Sequence, residues 1–227
     1  MRKKHAAFTL IEMVTVITII VILAGLVVAV IGYVNRKAAM TRALNEIEML
    51  KLACQNYKAE TGGYPQDTNS DGYTDKLNPK TDFNPTNAVY LNAGKYLYKE
   101  LTGDKTGSAG EPDGVPEDGE QIYFKESDQR MLKVDKDAAT GKITRVYYFW
   151  DPFGYPYGYS TAALREEQIY QKAIKAWITG AQPKRLSGDN LPGFNISTFD
   201  LWSTVGNKTS PAVADREAEQ KKWIKNW

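Results

Sequence analysis

An uncharged apolar segment of 22 residues, from Met13 to Val34, constrains this chain more than any other feature. At a rise of about 1.5 Å per residue it would form a helix of roughly 33 Å, long enough to cross the hydrocarbon core of a bilayer. It follows a short basic stretch with Arg2, Lys3 and Lys4, and it is longer than the apolar region of an ordinary secretory signal. We therefore predict a single transmembrane helix close to the N-terminus.

One carboxylate, Glu12, stands directly before the apolar segment. An ionised side chain costs about 2.5–3.5 kcal/mol at the centre of a membrane helix and less near the interface. The position of Glu12 therefore predicts that this carboxylate has a partner or a function.

The residues around Glu12 resemble a known processing signal. The string Ala7-Phe8-Thr9-Leu10-Ile11-Glu12 is similar to the prepilin peptidase site of type IV pilins and type II secretion pseudopilins. The resemblance implies cleavage between Ala7 and Phe8, methylation of the new Phe8 amine, and a role for Glu12 in assembly. Gly usually precedes the cut in that family, whereas this chain has Ala7, which is also small.

The resemblance divides the chain into four parts. Residues 1–7 would be a leader peptide, 8–34 the transmembrane part of the N-terminal helix, 35–62 its periplasmic half, and 63–227 an α+β globular domain. Positive residues flank the apolar segment on both sides, so the charge rule for membrane orientation does not decide where the domain lies. The resemblance implies a cytoplasmic N-terminus, and thus a single-pass protein of the bacterial inner membrane with a periplasmic domain.

The helix is predicted to continue beyond the membrane segment. Apolar residues recur there at intervals of three and four, which is the pattern of one helix face. The stripe consists of Met40, Ala43, Ile47, Leu50, Cys54 and Tyr57. The helix should end near Gly62 and Gly63. We expect the stripe to pack on the globular domain; a separate coiled coil is the alternative, which the short length of the stripe disfavours.

A loop after the helix has the ligand spacing of a calcium site. The oxygens would come from the side chains of Asp67, Asn69, Asp71 and Asp75 and from the backbone carbonyl of Tyr73. The twelfth position, where an acid is expected, holds Asn78, and no helical pattern flanks the loop closely. The spacing therefore predicts bound calcium outside an EF-hand, with a solvated acidic turn as the alternative.

The rest of the chain predicts an α+β domain with a small antiparallel sheet. Helices are predicted over residues 87–101, 164–178 and 215–227, and strands over 121–125, 131–134, 143–150 and 199–204. The acidic stretch Glu111–Gly119 lacks ligand spacing and is predicted to be a loop.

Later segments resemble the major pseudopilin, the G subunit of type II secretion systems, in the same order along the chain. They are the helix end 56–65, the turn Asp151-Pro152-Phe153-Gly154-Tyr155-Pro156-Tyr157, the stretch Phe199–Ser203 and the terminus Ile224–Trp227. The resemblance implies a type IV pilin-like fold, with the long helix packed on a small antiparallel sheet. It also implies self-association into a periplasmic filament, with prepilin peptidase, other pseudopilins and inner-membrane secretion proteins as partners.

Composition argues against catalysis and against nucleic-acid binding. The only histidine is His5, inside the predicted leader, and the only cysteine is Cys54, which disfavours a His-based triad or a Cys/His zinc site. Loss of the leader would reduce the 29 basic side chains to 26, against 27 acidic ones, without a basic patch. We expect a structural subunit and no enzyme; the alternatives are a type IV pilin and a membrane-anchored, calcium-dependent binding module.

Overall fold

The fold is that of a computed structural model, which describes residues 9–68, 72–107, 110–125, 129–207 and 211–227. The chain divides into two compact units, with the division between Thr41 and Arg42. The described part of the first unit is helical from Leu10 onward, and the second unit contains the sheets. The predicted limits of the leader and of the membrane-spanning part stay predictions.

The described residues contain five α-helices and five β-strands. The helices are α1 Leu10–Thr61, α2 Tyr73–Lys76, α3 Ala88–Thr102, α4 Ala162–Ala176 and α5 Arg216–Gln220. The strands are β1 Leu132–Lys136, β2 Ile143–Phe149, β3 Gly158–Ser160, β4 Asp200–Ser203 and β5 Ile224–Lys225. Short 3-10 turns lie at Gln129–Met131, Gly188–Asn190 and Val213–Asp215. The predicted α+β class with a long N-terminal apolar helix is confirmed.

The antiparallel strands form two small sheets rather than one. Strands β1 and β2 form a hairpin, in which Leu132 lies opposite Phe149. The second sheet has the order β3-β4-β5, so that β4 is its central strand. Trp202 on β4 faces Gly158 on one side and Lys225 on the other.

Two sequence-based assignments are wrong. Residues 121–125 form no strand, because the backbone N–H groups of Tyr123 and Phe124 both donate to the carbonyl of Leu101, at 2.9 and 2.8 Å. This segment therefore supplies hydrogen-bond donors to a backbone carbonyl near the end of α3 instead of joining a sheet. The C-terminal helix ends at Gln220, and the chain then continues as β5 along the edge of β4.

Four of the six residues in the predicted apolar stripe of α1 are buried in the domain core, whereas Met40 and Tyr57 are only partly buried. Ala43, Leu50 and Cys54 are fully buried and Ile47 is nearly so. Their core also contains Leu97 and Leu101 of α3, Phe149 of β2, and Tyr157 and Tyr159 around β3. Burial raises the pKa of the Cys54 thiol, so this cysteine is held in its neutral form.

A buried carboxylate accompanies the apolar stripe. Glu46 is only 4% exposed, and it accepts hydrogen bonds from the Tyr157 hydroxyl at 2.5 Å and from Nε of Arg42 at 2.6 Å. Arg42 also donates to the carbonyl of Arg130, at 3.1 Å. A buried charge is tolerated when it is paired and hydrogen-bonded, so these contacts fix the position of α1 within the second unit.

The aromatic turn after β2 is organised by Asp151. Its Oδ1 accepts the backbone N–H groups of Phe153 and Tyr155, at 3.0 and 2.9 Å, and its Oδ2 accepts the Ser203 hydroxyl at 2.5 Å. Burial raises the pKa of Asp151 to about 6, although these hydrogen bonds favour the carboxylate. Asp151 thus joins the turn to β4.

An aromatic cluster closes the other side of β4. The Trp202 and Trp223 rings are stacked with centroids 5.8 Å apart, and Tyr90 meets Trp202 edge-on at 5.5 Å. Gly158 lies beneath the Trp202 indole, where a Cβ atom would overlap the ring. The cross-strand pair therefore requires glycine on β3 for steric reasons.

Replacement of Gly158 by alanine should destabilise the domain, because Trp202 is held between Trp223 and Tyr90 and has no space to move. Overpacking of this kind typically lowers the free energy of unfolding by about 1–3 kcal/mol. Thermal denaturation of the full chain in detergent measures the loss. Gly63→Ala is the matched control, since no heavy atom lies within 4 Å of a Cβ at that position. Equal melting temperatures for the two variants would contradict the packing constraint.

Candidate functional site

The first turn of α1 is closed by reciprocal hydrogen bonds between Thr9 and Glu12. Oε2 of Glu12 accepts the backbone N–H of Thr9 at 2.8 Å and its hydroxyl at 2.7 Å, while the Thr9 hydroxyl accepts the N–H of Glu12 at 3.3 Å. This arrangement is a capping box, whose sequence signature is Thr or Ser followed three residues later by Glu or Gln. This signature lies inside the processing string, where its spacing alone would have predicted a capping role for Glu12.

The capping box leaves part of the Glu12 carboxylate unused. The other oxygen, Oε1, receives no hydrogen bond from the described residues, and no cation among them contacts Glu12. The two residues of the predicted cleavage site, Ala7 and Phe8, lie outside the described residues. The structure therefore shows a neutral local partner for Glu12 and leaves room for a second one.

The first unit is apolar and, at its described side chains, exposed from Met13 to Val34. Large apolar side chains from Leu10 to Val34 remain about half exposed or more, and α1 is the one described helix long and apolar enough to cross a membrane. The hydroxyls of Thr15 and Thr18 donate to backbone carbonyls one turn earlier, at 2.8–3.0 Å. Because these hydroxyls are satisfied within the helix, they do not oppose its burial in hydrocarbon.

The predicted calcium loop is described only in part. Asn69 and Asp71 lie outside the described residues. Oδ2 of Asp67 accepts the backbone N–H of Tyr73 at 3.3 Å, and the Tyr73 carbonyl accepts the N–H of Leu77 within the short helix α2. The Tyr73 carbonyl that was expected to bind calcium therefore already has a donor.

Asp75 is turned toward α4. Its Oδ1 accepts hydrogen bonds from Nε2 of Gln66 at 2.9 Å and from the hydroxyl of Thr161 at 2.7 Å. Arg165 lies 3.8 Å from Oδ2. Burial raises the pKa of Asp75, and these donors partly offset that effect.

Among the described residues, no group of three acidic, cysteine or histidine side chains is arranged to hold a metal ion. Calcium binding in this loop stays a prediction.

The second acidic stretch, Glu111–Gly119, is a loop, as predicted. The fully buried Asp104 accepts the backbone N–H groups of Asp113 and Gly114, at 3.1 and 2.7 Å, and the hydroxyl of Tyr98 at 2.7 Å. Glu117 accepts the backbone N–H of Lys105 at 2.7 Å. The two carboxylates therefore shape the loop by binding backbone donors.

Comparison with known proteins agrees with the N-terminal features. Residues 2–28 match the family described as the prokaryotic N-terminal methylation motif. No curated protein and no solved structure matches the chain. The motif supports the class of type IV pilin-like proteins, which includes pilins and pseudopilins, and with it membrane anchoring by the N-terminal helix. It implies processing by a prepilin peptidase and assembly into pilin-type filaments.

If the Asp67–Asp75 loop binds calcium, addition of millimolar calcium to the chelated full chain in detergent should raise its melting temperature, because the ion binds only the folded state. At 100 times the dissociation constant the gain is about 2.7 kcal/mol. The double change Asp67→Ala and Asp71→Ala should abolish this increase. The control is Asp113→Ala with Asp118→Ala, which removes two acids from the loop that lacks ligand spacing. A calcium-independent melting temperature of the wild-type chain would show that the loop is only a turn.

Proposed function

We propose that this chain is a pseudopilin, the repeating subunit of a periplasmic filament in a type II secretion system. The observation that carries the proposal is the methylation motif over residues 2–28, which continues directly into an exposed apolar helix. Neighbouring apolar helices would pack together in the filament, and the domains would cover its surface. The role is structural, and no catalytic group is assigned.

The arrangement around β4 supports a pseudopilin over a pilin. Three of the later segments that resemble the major pseudopilin are distant in sequence but meet at this strand. The aromatic turn reaches β4 through Asp151 and Ser203, and Asn226 near the C-terminus accepts the backbone N–H of Leu201 at 2.9 Å. Pilins often carry a pair of cysteines near the C-terminus, whereas this sequence contains only Cys54.

The proposed topology follows from the leader. The basic residues before the apolar helix would stay in the cytoplasm, the helix would lie in the inner membrane, and residues 63–227 would lie in the periplasm. Prepilin peptidase would cut between Ala7 and Phe8, and the partners would be further copies of this chain, other pseudopilins and inner-membrane secretion proteins.

The charge of Glu12 is proposed to pair with the Phe8 amine of a neighbouring subunit. Among the described residues, its own chain supplies only the neutral donors of Thr9. A cationic amine from a subunit displaced along the filament axis would neutralise the carboxylate in an apolar environment. The pair would thereby fix the displacement between successive subunits.

Processing can be tested directly by intact mass. Protein extracted from the membranes of cells that contain prepilin peptidase should begin at N-methylated Phe8. The same protein from peptidase-deficient cells should retain residues 1–7, which is the matched control. Retention of residues 1–7 in both strains would contradict processing at this site and would favour a plain membrane anchor.

Replacement of Glu12 separates its charge from its capping role. Glu12→Gln keeps an acceptor for both Thr9 donors but removes the charge, so we expect it to block filament assembly and secretion as strongly as Glu12→Ala. Removal of one partner of a buried ion pair typically costs about 3–5 kcal/mol, whereas loss of a cap costs about 0.5–2 kcal/mol.

Thr9→Ala is the control for this comparison, because it removes the capping hydroxyl and keeps the Glu12 charge; we expect it to assemble. The measurements are export of secreted proteins into the medium, surface filaments, and a membrane-fraction blot at native expression. Normal secretion by Glu12→Gln would show that the carboxylate serves the helix cap alone. Lost surface filaments with unchanged secretion would favour the pilin alternative.

A further inference from the structure

One face of α4 is apolar, exposed and bordered by cations. Ile169, Ala173 and Ala176 line a shallow groove of about 530 Å3 together with Arg165 and Lys172. Ile169 is 47% exposed, and Lys172 forms no ion pair with the described residues. We call these five residues the α4 outer face.

The other side of α4 is covered by the chain that follows the helix. Arg185 pairs with Glu167 at 2.8 Å, and its guanidinium lies over the Tyr170 ring at 5.0 Å. The α4 outer face has no such cover among the described residues. A solvent-facing apolar groove with its own cationic border is typical of a docking surface.

The loop shaped by Asp104 and Glu117 carries acidic side chains, whereas the α4 outer face carries basic ones. Its tip, residues 113–118, carries Val115, which is 66% exposed, beside the acidic side chains of Asp113 and Asp118. Asp118 has no hydrogen-bond or ion-pair partner in the described parts of the chain. We call residues 113–118 the acidic tip. Because backbone donors already hold its shape, little ordering entropy would be lost when it binds.

These two surfaces lie on different parts of the second unit. The acidic tip adjoins β2. A Cβ atom added to Gly114 would lie 3.5 Å from the Ile143 side chain, and the N–H of Val146 donates to the carbonyl of Pro112 at 2.7 Å. The α4 outer face lies on a helix that packs on α2. Each surface is therefore left uncovered by the described residues of its own chain. Each has an exposed aliphatic group and a charge of opposite sign that those residues leave unpaired.

We infer that the acidic tip of one subunit docks on the α4 outer face of the next, with Val115 against Ile169 and Asp118 near Lys172. The inference rests on the proposed filament function. Two different surfaces of the same chain then meet, which is a heterologous contact. A contact of this kind that does not close into a ring propagates without limit, as a filament requires.

Disulfide trapping in assembled filaments tests the contact. Val115→Cys with Ile169→Cys in one chain should give a ladder of cross-linked multimers under mild oxidation. Each single-cysteine variant should give no cross-link, because the native Cys54 is buried. Multimers absent from otherwise normal filaments would overturn the inference, and dimers formed by Ile169→Cys alone would indicate a symmetric α4 contact instead.

Charge reversal provides a second test. Lys172→Glu and Asp118→Lys should each lower the yield of sedimented filaments about tenfold, since like charges would face one another, and the double variant should restore it. Lys221→Glu, an exposed reversal beyond α5, is the control and should have no effect. Unchanged melting temperatures would show that the variants fold. Normal filaments from both single reversals would reject the docking contact while leaving the proposed function intact, whereas a wild-type chain that forms no filaments would reject both.

Discussion

The burial of the apolar stripe of α1 is the interaction on which the second unit depends. A two-stranded sheet is marginal on its own in water, and a three-stranded sheet needs an apolar face or a packed helix to be stable. Ile47, Leu50 and Cys54 provide that surface, and fully burying an aliphatic side chain contributes about 1.5–3 kcal/mol. Glu46 fixes the register of this contact, because its hydrogen bond to Tyr157 can form at only one position of the helix along the domain.

The elements with strong local periodicity were predictable from sequence. The stripe of α1, the amphipathic face of α3 and the β-branched and aromatic run of β2 each agree with the structure to within a few residues. Segment 121–125 has strand-like composition, but a tertiary contact with the end of α3 takes up its backbone donors. Strand β5 was missed for a related reason: it is short, and only pairing with β4 makes it a strand.

The candidate site shows the same division between local and distant causes. The motif around Glu12 was found because its residues are adjacent, and the capping box in the same string could have been found by its spacing. The environment of Asp75 was not predictable, since Gln66 and Thr161 are brought to it by the fold. Glu46 is not one of the residues of the apolar stripe, and only the position of Tyr157 explains why it is buried. A glutamine could cap the helix as well as Glu12 does, so the cap alone does not account for a charge at this position.

Strand β5 and the two residues after it have a consequence for the order of folding. Residues 224–227 complete both β4 and the aromatic cluster: Asn226 binds Leu201 and Phe199 by hydrogen bonds, and the Trp227 ring stacks on Phe194 with centroids 4.7 Å apart. The central strand therefore cannot acquire its second neighbour until residues 224–227 have been synthesised. Until then the edge of β4 that pairs with β5 stays open. A nascent chain of this design is most vulnerable to proteolysis and to chaperone capture just before these residues appear.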